Sequence, residues 1–154
     1  MGGLGNSAQD VIALTDMGAH VFALGGAMGA ATMMGLGLAL AQPAKRVLVL
    51  TGDGDLLMSL GSLATIAILN PPNLAIVCVD NGRYGATGNQ LSHTSHGVEL
   101  DKIAAGAGIR TIRTVDTDAD LANAARTLRE GNRTVFVLLR VRQGDAPNTI
   151  RLMK

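Results

Sequence analysis

The strongest constraint on the fold is a set of short, almost unbroken apolar runs separated by segments of helical length. The runs lie at 20–24, 46–51, 74–80, 109–115 and 134–141 and are rich in Val, Leu and Ile. A strand solvated on one side alternates polar and apolar residues, whereas a strand covered on both sides has no wet face and reads as a continuous run. Segments 30–41, 56–69, 100–107 and 118–130 have the length and apolar spacing of helices. Strand and helix in this alternation predict an α/β fold, a three-layer, mainly parallel sheet with helices on both faces. The 154 residues suffice for one such domain, spanning 1–154. Residues 1–5 read as the loop that follows a strand, so the chain is expected to lack the first strand of its sheet. The polar tail 144–154 is expected to be a mobile end or a docking arm for a partner.

Composition narrows the function. A net charge of +1 gives no field for nucleic acid or a membrane surface, and Arg126, Arg129, Arg133, Arg140 and Arg142 read as a solvated helix face and strand ends. Segment 22–41 is apolar enough to suggest a membrane span, but five glycines interrupt it, which favours a tightly packed helix and its approach loop. The N-terminus has no charged and apolar leader pattern. Cys78, the only cysteine, sits inside an apolar run, where it reads as a small core residue. Without a disulfide framework, a reducing cytoplasm is the expected setting.

Chemistry concentrates at two strand ends. The run 46–51 leads into Gly52, Asp53, Gly54 and Asp55, and the run 74–80 ends in Asp80, Asn81 and Gly82. In a parallel sheet both clusters fall at the carboxyl edge, where open α/β sheets bind ligands. Asp53 offers a hard carboxylate and Asn81 an amide oxygen, the ligand types Mg2+ takes when phosphate oxygens and water complete its octahedron. Gly52 and Gly54 let the backbone turn and come close to a phosphate. A helix after Asp55 is expected to point its free amides and positive end at that phosphate.

A Gly-Asp-Gly turn alone says little, but residues 55–79 separate Gly54 from Asp80 and Asn81, and this spacing resembles the signature of thiamine diphosphate-dependent enzymes. The sequence departs from it in carrying Asp80 where the family has a first Asn, a strand-end position that is not the metal ligand. The resemblance implies the diphosphate-binding (PP) fold, with thiamine diphosphate and Mg2+ as cofactors. It implies that the Gly26 carbonyl accepts from the aminopyrimidine and that Met28 wedges between the two rings. Asp53, Asn81 and the Arg83 main-chain carbonyl would hold the metal, with Gly54, Asp55, Tyr84 and Gly85 around the diphosphate. Leu60 to Ile66, Leu69-Asn70-Pro71 and Tyr84 to Gln90 look like sulfopyruvate decarboxylase beta subunits and phosphonopyruvate decarboxylases. After Gln90 the sequence reads Leu-Ser-His-Thr-Ser-His where those enzymes usually show Pro-Thr.

The resemblance further implies decarboxylation of a 2-oxo acid to an aldehyde and CO2. Thr87, Gln90, His93 and His96, with Asn6 on the first loop, are the candidates for proton handling and substrate contact, the histidines reading equally as solvated surface residues. Thiamine chemistry needs a glutamate against the pyrimidine, and the chain has only Glu99 and Glu130, neither in a suitable setting. The activating glutamate is therefore expected on a separate pyrimidine-binding alpha subunit, in an α2β2 or larger assembly. Three other readings remain: a carboligase or oxidoreductase subunit, a non-catalytic cofactor-binding subunit, and a dinucleotide-binding module using Gly3-Leu4-Gly5-Asn6-Ser7-Ala8 as its phosphate loop.

Overall fold

The computed structural model describes residues 1–16 and 18–142, so the expectation for the tail at 144–154 lies outside the described residues. The helices, in chain order, are α1 (Asn6–Thr15), α2 (Ala31–Ala41), α3 (Asp53–Leu57), α4 (Gly61–Leu69), α5 (Leu100–Gly106) and α6 (Asp118–Glu130). The strands are β1 (Val47–Gly52), β2 (Leu74–Asp80), β3 (Arg83–Tyr84), β4 (Gln90–Leu91), β5 (Thr111–Val115) and β6 (Val135–Arg140).

β2, apolar until Asp80, lies between two parallel neighbours, in the order β1-β2-β6-β5. Its side chains alternate between two cores. Leu74, Ile76 and Cys78 join Phe136 and Leu138 against Leu36, Leu63, Ile66, Leu100 and Ala104 of α2, α4 and α5. Ala75 and Val77 face the other way and pack with Val135, Val137 and Ala124 of α6. The result is the three-layer arrangement expected from the unbroken runs. Cys78 is fully buried, and burial, with the nearby aspartates, pushes its thiol well above the ordinary value. It is an inert core residue.

Close packing of α2 on β1 explains one interruption of the 22–41 stretch. A Cβ on Gly35 would collide with the side chain of Val49, so glycine is what lets the helix lie this near the strand. No helix among the described residues is long and apolar enough to cross a membrane.

Three expectations are corrected. The run at 20–24 forms no strand: only Ala23 bridges to Gly2, which also bridges to Leu50. The Gly2 amide donates to the Phe22 carbonyl at 2.8 Å, and the Gly3 amide to the Leu50 carbonyl at 2.6 Å, so residues 1–3 extend the parallel sheet by a single ladder step. Residues 6–15 form a helix the sequence reading did not assign. It has no side-chain N-cap, starts behind Gly5 and ends at Asp16 in the left-handed conformation, so the usual sequence signals for a helix start are missing. The single helix at 56–69 is two helices. The first begins at Asp53, and tight three-residue turns from Met58 to Asp55 and from Ser59 to Leu56 separate it from α4.

Arg46, just before β1, ties two layers together. Its guanidinium donates to the carbonyls of Leu128 and Gly131 at the end of α6 and of Pro72 before β2, at 2.5–2.9 Å. A cation here also meets the negative end of α6. Arg46→Ala is expected to cost about 1–2 kcal/mol, since these are charge-assisted but solvent-accessible bonds. A shift of the urea midpoint at unchanged slope measures it.

Candidate functional site

β1 and β2 run in register, with Gly52 opposite Val79, so Asp53 and Asp80 follow side by side at the carboxyl ends of adjacent strands. Beyond them, the antiparallel pair β3–β4 folds back over the sheet edge. The cavity left there is lined by Leu4, Gly5 and Ser7 from the start of the chain, by Met28, by Gly52, Asp53, Gly54 and Asp55, and by Val79, Asn81 and Arg83 to Thr87.

Asp53 is only 2% exposed. Its Oδ2 accepts from the Ser92 hydroxyl at 2.5 Å, with the Thr94 hydroxyl 3.3 Å from the same oxygen, and Oδ1 has no side-chain donor among the described residues. Burial raises its pKa above the usual carboxylate value. The Ser92 hydrogen bond opposes that shift, the charge of Asp80 adds to it, and the Gly54 amide and Thr94 hydroxyl oppose it. A buried carboxylate held above its ordinary pKa beside a second one is a place where a cation would be stabilised.

Asp55 is equally buried but differently used. Its Oδ1 accepts from the Gly29 amide at 2.5 Å, and its Oδ2 from the Thr51 hydroxyl at 2.7 Å and the Leu4 amide at 3.4 Å. One carboxylate thus joins β1, the 25–29 loop and the N-terminal loop, and it brings Met28 to the cavity wall. A Cβ on Gly3 would strike Asp55 Oδ2, so the Gly3–Ala8 pattern lies against a carboxylate, poor surroundings for a dinucleotide phosphate.

Asn81 Oδ1 accepts from the Arg83 amide at 2.9 Å, a local turn that fixes the side chain at the end of β2 and leaves a lone pair free. The Arg83 guanidinium folds back to the Asn89 carbonyl at 2.9 Å. The ring of Tyr84 packs on Gly54, where an added Cβ would be 2.5 Å from Cε1. α3 is only five residues long, so the expected helix-dipole contribution is corrected to a few free amides, the macrodipole of so short a helix being small.

The structure brings Met28, Asp53, Gly54, Asp55, Asn81, Arg83, Tyr84, Gly85 and Thr87 to one cavity. Gly26 is exposed two residues from Met28 and is not among the lining residues. Gln90 pairs with Tyr84 across the hairpin, and its Oε1 accepts from Thr87 at 3.1 Å. His93 and His96 lie exposed on a 3-10 turn (His93–His96) outside the lining, while Ser92 and Thr94 of the same segment reach Asp53. Asn6 opens α1. Sequence reasoning missed Ser92 and Thr94, because nothing local marks a hydroxyl whose partner is 39 or 41 residues away.

Over residues 4–139 the sequence matches the family described as thiamine pyrophosphate enzyme, C-terminal TPP binding domain. The chain belongs to that family.

This TPP-binding domain is 51% identical over 89 residues to the sulfopyruvate decarboxylase subunit beta of Methanocaldococcus jannaschii, covering 58% of the chain and 47% of that protein. It is 39% identical over 141 residues to the phosphonopyruvate decarboxylase of Streptomyces viridochromogenes, covering 92% of the chain and 35% of that protein. The chain thus spans less than half the length of both relatives. A solved structure from Mycobacterium smegmatis, described as a thiamin diphosphate-dependent enzyme, superposes with a TM-score of 0.67 at 25% identity, over 80% of this chain and 24% of that one. The TPP-binding domain therefore has the parallel-sheet fold that its apolar runs predicted.

Proposed function

We propose that this chain is the diphosphate- and Mg2+-binding beta subunit of a two-chain thiamine diphosphate-dependent 2-oxo acid decarboxylase, working in the cytoplasm. Residues 1–154 constitute one diphosphate-binding domain in this reading. The observation that carries it is the state of Asp53: a buried carboxylate, secured through one oxygen, beside Asn81 at the lip of a cavity.

The donor set fits Mg2+. The Asp53 carboxylate, the Asn81 amide oxygen and the Arg83 carbonyl are all hard oxygen ligands, the kind this ion takes beside phosphate and water. A cation is also required by charge. Asp53 and Asp55 line the cavity, and the Arg83 side chain is turned to Asn89, so a diphosphate would meet net negative charge unless a divalent ion lay between. Gly54 and Gly85 leave backbone free to approach the phosphates, with Tyr84 packed behind Gly54. Met28 would supply an adaptable apolar surface for the cofactor's rings, and the Gly26 carbonyl, on the same loop but outside the lining, would accept from the aminopyrimidine.

Bound thiamine diphosphate supplies the electron sink that takes the bonding pair as CO2 leaves a 2-oxo acid. The residues of this chain would place it: the metal ligands would fix the diphosphate and Met28 the ring end, with Thr87, hydrogen-bonded to Gln90, lining the cavity. His93 and His96, exposed beside the hairpin, stay candidates for proton handling only toward groups that reach the surface. In this reading the activating glutamate belongs to an alpha subunit; of the glutamates here, Glu99 is exposed and paired with Lys102, Glu130 ends α6, and neither lines the cavity. The names of the two relatives support a sulfopyruvate- or phosphonopyruvate-like substrate, and the subunit-beta name supports an alpha partner, which this reading places in an α2β2 or larger assembly.

Calorimetric titration of thiamine diphosphate tests the reading, with Mg2+ and with EDTA, first into this chain and then into its mixture with a pyrimidine-binding subunit. Binding that needs Mg2+ and tightens in the mixture is expected, and the mixture should release CO2 from a 2-oxo acid. Folded protein that takes up no cofactor in either cell would refute the assignment.

A further inference from the structure

Two hydroxyls reach a single oxygen of Asp53 from a segment 39 and 41 residues further along the chain. Ser92 is fully buried, with its Oγ 2.5 Å from Asp53 Oδ2. Thr94 Oγ1 lies 3.3 Å from the same oxygen, 2.9 Å from Ser92 Oγ and 2.7 Å from Asp80 Oδ1. Each hydroxyl has one proton, and the shorter contacts give that of Ser92 to Asp53 and that of Thr94 to Asp80. The segment is itself fastened beside Asn81: the Ser92 amide and the Ser95 hydroxyl both donate to the Gly82 carbonyl, at 2.8 Å and 2.6 Å, and the Gly82 amide donates to Asp80 Oδ1 at 3.0 Å.

Fold stability alone gives no reason for this arrangement. Placing a buried hydroxyl, Ser92, and a half-buried one, Thr94, against two neighbouring carboxylates costs desolvation that apolar residues of the same shape would avoid. Its geometric effect is specific. One oxygen of Asp53 is occupied by side-chain hydroxyls and the other has no side-chain donor among the described residues, while Thr94 lies between Asp53 and Asp80 at the ends of β1 and β2.

We propose that Ser92 and Thr94 are positioning residues for the metal, holding Asp53 as a single-oxygen ligand and fixing its distance from Asn81. This rests on the Mg2+ reading above. They touch neither the ion nor the substrate and act through Asp53, and through Asp80 on the strand that carries Asn81. Partners of this kind typically set metal affinity by tenfold to a hundredfold.

The test is titration of MgCl2 into the full-length chain in the presence of saturating thiamine diphosphate, for the parent and for Thr94→Val, Thr94→Ser and Ser92→Ala, with a urea melt of each apo protein. Val keeps the shape of Thr without the hydroxyl, and Ser keeps the hydroxyl without the methyl. Thr94→Val and Ser92→Ala are expected to weaken Mg2+ by about tenfold or more, and Thr94→Ser to stay near the parent. Variants that bind Mg2+ like the parent, whether or not they melt earlier, would overturn the positioning role and leave the Mg2+ reading standing. Failure of Thr94→Ser to restore affinity would also overturn it, since the hydroxyl would then not be the working group. A parent that shows no Mg2+-dependent heat, alone or mixed with the pyrimidine-binding subunit, would remove the Mg2+ reading, and the positioning role with it.

Discussion

Asp53→Asn should make the cofactor-free protein more stable at neutral pH while abolishing Mg2+-dependent binding of thiamine diphosphate. The first half follows from the direction of the Asp53 pKa. Burial raises it, and Asp80 adds to the shift against the opposing hydrogen bonds. The folded state therefore holds the Asp53 proton more tightly than the unfolded state, for which the ordinary value is 3.8. Between that value and the raised one, the folded protein binds more protons, so stability declines as pH rises through the window. Above it, the buried charge is a standing cost that asparagine, with one oxygen still able to accept from Ser92, does not carry. A gain of about 1 kcal/mol corresponds to roughly 2–4 °C in a domain of this size. The gain should disappear at pH values below the usual carboxylate range, where aspartic acid is neutral as well. Thermal melts at neutral and acidic pH, paired with calorimetry, read both halves. An apo protein that loses stability on substitution at neutral pH would show that Asp53 is there for the fold. Unchanged Mg2+-dependent binding would remove it from the metal site.

Gly54→Ala is the second large effect. The new methyl would lie 2.5–2.6 Å from two ring atoms of Tyr84, inside any tolerable contact, so the ring and the β3–β4 hairpin behind it must shift. Overpacking of this kind costs about 1–3 kcal/mol. Because the hairpin carries Gly85 and Thr87 at the cavity and leads to Ser92, cofactor affinity should fall by at least about tenfold, as small displacements of positioned groups do. Gly61→Ala provides the contrast. A Cβ there meets nothing within 4 Å, and its helical position favours alanine by about 0.5–1 kcal/mol. Equal cofactor affinity in the two variants would mean that the Gly54–Tyr84 contact does not shape the site.

The layers, and the sheet edge to which the proposed site is assigned, were legible in one dimension because each depends on local pattern. β2 reads correctly from Leu74 to Asp80 since a strand covered on both faces has no reason to be polar, and α6 reads correctly from Asp118 to Glu130 because its acidic start and basic end sit at matching poles of the helix. Asp53 and Asn81 stand out because a strand end followed by Gly, Asp or Asn is a local signal. α1 escaped because its ends lack caps, and the 56–69 segment was joined because Leu56, Leu57, Met58 and Leu60 carry an apolar run across the turn into α4, with no Pro or charge to mark the break.

From sequence alone, then, come the parallel sheet, the edge at which chemistry sits, and the oxygen ligands suited to Mg2+. These follow from hydrophobic periodicity and side-chain chemistry, which neighbouring residues carry between them. Tertiary structure alone decided that Asp55 holds three segments together while Asp53 keeps an oxygen free, and that Ser92 and Thr94, not His93 and His96, turn inward from their segment. Two aspartates two residues apart are chemically identical in the sequence. Only the donors that folding brings from distant parts of the chain make one a structural tie and leave the other, the proposed metal ligand, with an oxygen that no side chain engages among the described residues.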